Sequence, residues 1–307
     1  MSERILVLGG TGFIGRNLVL SLVKSDFIVS VLSLNLPVDE KKIEGVEYWC
    51  ADITYFEQLK KQLIVTSFHY VINLAGYIDH GQFMNGGRQV INAHFLGVQN
   101  LLQLIDWTSI KRFVQIGSSD EYGSLHPPQT EKMRENPISS YSFGKVASTQ
   151  LLQMLFRTEG FPAVTLRPFL VYGEGQNNNR FLPQIIKGCI QGVQFPVSNG
   201  EQLRDFCYID DIIRGILLTL KNDKVNGEVI NLASGKPISI RKIIELVQEV
   251  VGQGVPDFGA VPYRVGESMA LYADVAKAKK LLGWEPSVSI DEGISRTVHY
   301  YQRKIKC

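Results

Sequence analysis

The chain has 307 residues, 45% of them hydrophobic and 20% charged, a balance that fits one large domain or a domain with a smaller partner and excludes intrinsic disorder. Lys and Arg number 32 against 30 Asp and Glu, a formal charge of +2, so composition gives no support for nucleic-acid binding. Four cysteines (Cys50, Cys189, Cys207, Cys307) lie far apart and the five histidines lack metal-ligand spacing, which fits reduced thiols and argues against a disulfide framework or a metal site.

Ile5-Leu6-Val7-Leu8 is an unbroken apolar run, the pattern of a strand buried on both faces of a parallel sheet. It is cut at Gly9, so it is neither an export signal nor part of the ~20 apolar residues that cross a bilayer. A soluble, cytoplasmic protein with no membrane contact is expected. Ile14, Leu18, Leu22 and Val23 then recur at helical spacing. The alternation continues with strands expected at 27–34, 46–51, 70–74, 112–117 and 163–166, and with helical patterns around 90–105 and 141–156. This order predicts an α/β, doubly wound parallel sheet with right-handed crossovers. Past Gly173, Gly, Asn and Pro become frequent. Glu228 to Leu232 reads as one more buried strand, and Ser289 with Glu292 as a capping box opening the last helix. The expected division is a main domain over 1–172, to which the chain returns at about 207–235, and a small discontinuous subdomain from 173–206 and 236–307.

The turn after the first strand places glycines at 9, 12 and 15, in Gly9-Gly10-Thr11-Gly12-Phe13-Ile14-Gly15. A pyrophosphate needs backbone N–H groups at a helix N-terminus, a turn with positive φ and no Cβ in its way, and glycines there supply all three. Dinucleotide binding follows. An acidic residue commonly ends the second strand and takes the ribose hydroxyls; here Ser33 and Asn35 stand there, and Arg16, Lys41 or Lys42 could meet a 2′-phosphate. NADP(H) is therefore expected over NAD(H), with Asp39 and Glu40 close enough in sequence to leave NAD(H) possible. Asp52, after the third strand, reads equally as an adenine contact or an ordinary strand-end carboxylate.

Tyr141 and Lys145 are four apart in a helical pattern and share a face. A cation there favours the phenolate and fits the tyrosine for proton exchange near neutral pH. Tyr300 and Lys304 repeat the spacing with no glycine loop beside them and read as a solvated helix. What distinguishes Tyr141 is Ser118 at the end of the fifth strand, because glycine loop, serine, tyrosine and lysine then all fall at one sheet edge.

With these motifs the sequence resembles the extended short-chain dehydrogenase/reductase family, in its nucleotide-sugar branch, over essentially the whole chain. Asn73-Leu74-Ala75-Gly76 looks like the family's cofactor-lining segment and Asn92 to Leu102 like its next helix. Arg204-Asp205-Phe206 looks like its diphosphate-binding arginine segment, and Ala273 to Pro286 is similar to its C-terminal pattern. The resemblance implies a Rossmann domain in which Thr11, Phe13, Ile14, Ile53, Leu74, Ala75, Gly76, Asn92 and Pro168 join the glycines around the cofactor. It makes Tyr141 the proton donor or acceptor, Lys145 the holder of the nicotinamide ribose and Ser118 the ligand of the reacting oxygen. It puts a nucleotide-diphosphate sugar against Ser118, Ser119, Asp120, Arg180, Arg204 and Arg264, and a homodimer on helices near 88–106 and 141–159.

Ser119 and Asp120 stand where 4,6-dehydratases carry aspartate and glutamate, and serine cannot act as that acid. The run Gly117-Ser118-Ser119-Asp120-Glu121-Tyr122-Gly123 is closer to the NDP-4-keto-6-deoxyhexose reductases. The leading expectation is NADPH-dependent reduction of a sugar C4 carbonyl. Its alternatives are an NAD-dependent NDP-sugar 4-epimerase, then a 4,6-dehydratase or a non-catalytic NADP-binding relative. Leu170 replaces an asparagine that many relatives hold near the diphosphate.

Overall fold

The computed structural model describes residues 3–25, 27–63, 66–263 and 267–306. Seven parallel strands form the main sheet: β1 (Glu3–Leu8), β2 (Phe27–Ser33), β3 (Glu47–Cys50), β4 (Tyr70–Asn73), β5 (Arg112–Ile116), β6 (Ala163–Pro168) and β10 (Val229–Leu232), in the order β10-β6-β5-β4-β1-β2-β3. The order reverses between β1 and β4, and such a switch opens a crevice at the carboxyl ends of the strands. Two packed layers account for the unbroken apolar run of β1. Ile5 and Val7 face a core shared with α1 (Phe13–Leu22) and α7 (Ile209–Leu220), while Leu6 and Leu8 face one shared with α2 (Phe56–Leu63), α4 (Gly97–Leu104) and α5 (Ser140–Glu159). The four apolar side chains of β1, Ile5 to Leu8, are fully buried, and each such burial contributes about 1.5–3 kcal/mol.

The helix expected around 90–105 is three pieces: α3 (Arg88–Ile91), a π-helical stretch over Asn92–Leu96, and α4. Beyond β6, the short strand β7 (Leu170–Tyr172) pairs with β9 (Leu203–Tyr208), as do β11 (Pro237–Ser239) and β13 (Ala270–Leu271), while β8 (Gln194–Val197) pairs with β12 (Val255–Phe258). Helices α6 (Phe181–Gln191), α8 (Ile240–Val251), α9 (Ala276–Leu282) and α10 (Ile290–Lys306) complete the chain. At Ser289 the hydroxyl accepts from the Glu292 N–H at 3.2 Å, so the serine half of the expected cap is formed.

Two acidic residues of the Arg204–Asp211 segment are structural. Asp205 accepts from the N–H groups of Ser234 (2.6 Å), Gly235 (2.9 Å) and Ala273 (3.2 Å), tying β9 to the turn after β10. Asp211 accepts from the N–H groups of Ser287 and Val288, and its carbonyl takes the indole N–H of the fully buried Trp284 at 2.9 Å. No helix among the described residues is long and apolar enough to cross a membrane.

Candidate active site

The glycine loop is shaped by contacts that exclude a Cβ. A Cβ at Gly15 would lie 2.3 Å from the Gly9 carbonyl oxygen, and one at Gly9, where φ is +73°, would lie 2.9 Å from the Leu74 backbone. Helix α1 starts at Gly12 with no side-chain cap and no acidic residue in its first turn. Its free N–H groups therefore face the crevice as an anion site. Gly9, Gly12, Phe13, Ile14 and Gly15 line a cleft of about 640 Å³ with Leu74, Ala75 and Gly76 from beyond β4 and Pro168 from β6. An uncapped helix start against a loop with no room for side chains fits the pyrophosphate of a dinucleotide. A larger hollow of about 950 Å³, bordered by Glu3, Phe27, Lys111 and Lys221, lies at the opposite strand ends and contains none of the candidate residues.

The same cleft gathers Ser118, Ser119, Asp120, Tyr141, Lys145 and Arg180. Ser118 caps a 3₁₀ turn over Ser119–Tyr122: its hydroxyl accepts from the Asp120 N–H at 3.1 Å, and its own N–H donates to Glu121 Oε1 at 2.9 Å. Glu121 is fully buried and binds Arg167 through both Nε (3.0 Å) and Nη2 (2.7 Å), so a buried ion pair fixes the turn that carries Ser118. Tyr141 and Lys145 come from the first turns of α5, which Ser139 caps.

The expected effect of Lys145 on Tyr141 is not what this arrangement gives. Burial pushes the Tyr141 phenol well above its usual range, and Asp120 and Glu121 push the same way, against a hydrogen bond with Ser118 and the charge of Arg180. Lys145 Nζ lies 5.9 Å from the Tyr141 ring centre and donates to the Ile116 carbonyl at 2.6 Å. Burial lowers Lys145 itself to about 8. For both groups burial is the largest cause, and it disfavours the charged form of each.

Several predicted positions stand elsewhere. Arg204 does not line the cleft; its guanidinium pairs with Glu267 and donates to the Leu203 carbonyl at 2.8 Å. Asn92 is outside the lining as well, and His94 occupies that wall instead. The Asp52 carboxylate is taken by the N–H and hydroxyl of Thr54, each at 2.8 Å. Ile53 is buried, and its carbonyl accepts from Asn100 at 2.9 Å. Arg16 turns to the Lys41 carbonyl. Ser33 is buried with its hydroxyl 3.4 Å from the Thr11 N–H, and Asn35 is exposed. Arg264 lies outside the described residues. Leu170 does line the cleft, where it offers no hydrogen bond.

Two histidines went unnoticed in the sequence. The His80 and His94 rings stand edge-on to Tyr141, at 5.5 Å and 5.0 Å. His94 Nε2 donates to the Tyr77 carbonyl at 2.9 Å, which leaves Nδ1 buried with no partner. Burial lowers His94 to about 3, so the ring is neutral. Its signal was present: with Val90, Gly97, Val98 and Leu101 it follows the 3–4 spacing of a buried helix face.

A glycine-cradled anion site and a serine, tyrosine and lysine at the carboxyl ends of a seven-stranded parallel sheet define a nucleotide-dependent α/β enzyme class. The chain belongs to the NAD dependent epimerase/dehydratase family, whose family model matches residues 5–233. It is 31% identical over 315 residues to the UDP-glucuronate 4-epimerase of Thermodesulfobacterium geofontis, covering 98% of this chain and 97% of that one. Among solved structures it is similar to the UDP-glucose 4-epimerase of Thermotoga maritima with UDP-glucose (TM-score 0.90, 26% identity, 98% and 99% of the two chains). It is also similar to the UDP-glucuronic acid 4-epimerase of Bacillus cereus in complex with UDP-glucuronic acid and NAD (TM-score 0.84, 27% identity, 98% and 99%).

Proposed function

We propose that the protein is a nucleotide-sugar 4-epimerase that keeps its nicotinamide cofactor through the cycle. The observation that carries this reading is the meeting of Ser118, Tyr141 and Lys145 in one cleft with the glycine loop, in a chain that matches a 4-epimerase along nearly its full length. This choice replaces the 4-ketoreductase expected from the Gly117–Gly123 run, because the relatives support epimerisation.

The cofactor, when bound, supplies the hydride acceptor and donor for C4; the N–H groups at the start of α1 would hold its pyrophosphate, and Lys145 its nicotinamide ribose. Ser118 orients the C4 oxygen. Tyr141 takes the hydroxyl proton as the keto sugar forms and gives it back to the same oxygen once the keto sugar has turned and is reduced on its other face. To accept that proton Tyr141 must be a phenolate; burial opposes its ionisation, so the phenolate form depends on positive charge held near it, to which Lys145 would contribute. In this reading residues 1–172 and 207–235 hold the cofactor, while 173–206 and 236–307 hold the nucleotide sugar. A homodimer through the helices near 88–106 and 141–159 belongs to the same proposal, since α5 leaves Phe143 (50%) and Met154 (41%) exposed.

The reductase with NADPH is kept as a second reading on one observation: β2 ends in Ser33, with no carboxylate there to repel a 2′-phosphate. One assay divides the two. The purified protein, with no cofactor added, should convert a UDP-hexose or UDP-hexuronate into its C4 epimer, detected by proton NMR, and should release NAD on denaturation. Stoichiometric consumption of NADPH by an NDP-4-keto-6-deoxyhexose, with no epimerisation, would reject the proposal in favour of the reductase.

A further inference from the structure

Among the described residues lining the cleft, Asp120 is the one carboxylate. It is fixed from two sides. Its backbone N–H donates to Ser118 Oγ at 3.1 Å, and its Oδ2 lies 3.5 Å from His80 Nε2. The His80 ring in turn stands edge-on to Tyr141 at 5.5 Å, which puts the carboxylate one imidazole away from the phenol. The charge of Asp120 is felt there, since it contributes to raising Tyr141.

A hexose that presents its C4 oxygen to Ser118 and Tyr141 brings the C3 hydroxyl and the C6 group beside it. Of these, only C6 changes charge between a hexose and a uronate. An ionised carboxylate accepts hydrogen bonds and donates none, so a C6 hydroxymethyl group offers Asp120 a donor, while a C6 carboxylate offers only repulsion. Repulsion in a half-buried cleft acts over several ångströms and needs no direct contact. Burial raises the Asp120 pKa, and the charges of His80, Arg204 and Arg180 oppose that rise and favour the carboxylate; of these, Arg204 is already paired with Glu267 and Arg180 is exposed at the start of α6, where solvent screens it.

We infer that this cleft selects nucleotide sugars whose C6 is an uncharged hydroxymethyl group and discriminates against uronates, with Asp120 setting the choice; the inference rests on the proposed C4 epimerisation. It separates the chain from the UDP-glucuronate relatives it otherwise resembles.

The test compares UDP-glucose with UDP-glucuronate on the intact protein, by kcat/KM for C4 epimerisation and, independently, by Kd from protein fluorescence. UDP-glucose should lead by about tenfold or more in both measures. Asp120→Asn and Asp120→Ser should narrow that lead about tenfold, mainly through a lower KM and Kd for the uronate, with NAD content unchanged. Equal or better use of UDP-glucuronate by the unmodified protein would overturn the inference, as would an unaltered ratio in both variants. If neither sugar is epimerised, the epimerase reading fails, and the two Kd values still decide the selectivity.

Discussion

His94 makes the stability of this protein depend on pH in a way that one substitution removes. The ring is 3% exposed, its Nε2–H is committed to the Tyr77 carbonyl, and Lys145 lies close enough to disfavour a second positive charge. Its pKa is therefore about 3 in the folded protein against 6.5 when exposed. Between those values the unfolded chain binds a proton that the folded one does not. Stability is intact above pH 6.5 and falls by about 1.4 kcal/mol per pH unit as the pH drops towards 3. From pH 7 to pH 5 this one ring should remove about 2 kcal/mol. In His94→Gln the side-chain amide keeps a donor for Tyr77 and titrates nowhere in this range. Urea unfolding followed by tryptophan fluorescence at pH 7 and pH 5 should therefore show a loss about 2 kcal/mol smaller in the variant. The same pH 7 to pH 5 difference in both proteins would refute the reasoning and mean that His94 is hydrated or carries its proton when folded.

Three further outcomes follow from the site. Tyr141→Phe should lower the epimerisation rate by ~10²- to 10⁴-fold, the usual loss with a general acid or base, and leave NAD content nearly unchanged. Glu121→Gln leaves the fully buried Arg167 guanidinium with only Glu135 as a charged partner; it should cost about 3 kcal/mol in urea unfolding and lower activity by loosening the turn under Ser118. Gly15→Ala must push the Gly9 carbonyl aside, at an overpacking cost of about 1–3 kcal/mol. Titration should show NAD bound roughly ten- to a hundredfold more weakly.

The features legible in the sequence were those set by local chemistry. The β1 run betrayed a strand buried on both faces because successive side chains meet opposite apolar layers, and the glycines at 9, 12 and 15 marked a turn that no side chain fits. Tyr141, Lys145 and Ser118 could be placed at one edge because parallel strands all end on the same side. Partnership over long distances was not legible. By resemblance Arg204 reads as a ligand of the diphosphate, yet it meets Glu267, 63 residues away. Asp205 and Asp211 lie in the same motif, yet they hold backbone N–H groups far along the chain. The cost of desolvation was also hidden: spacing puts Lys145 on the same face as Tyr141, but only the depth of the cleft shows that burial is the largest influence on both. His94 shows the same limit from the other side, because its place on an apolar stripe announces burial, while its contact with Tyr141 requires the π-helical stretch before α4 to pack against α5. A reading from sequence therefore finds the groups able to do chemistry, and the fold decides which of them are left free to do it.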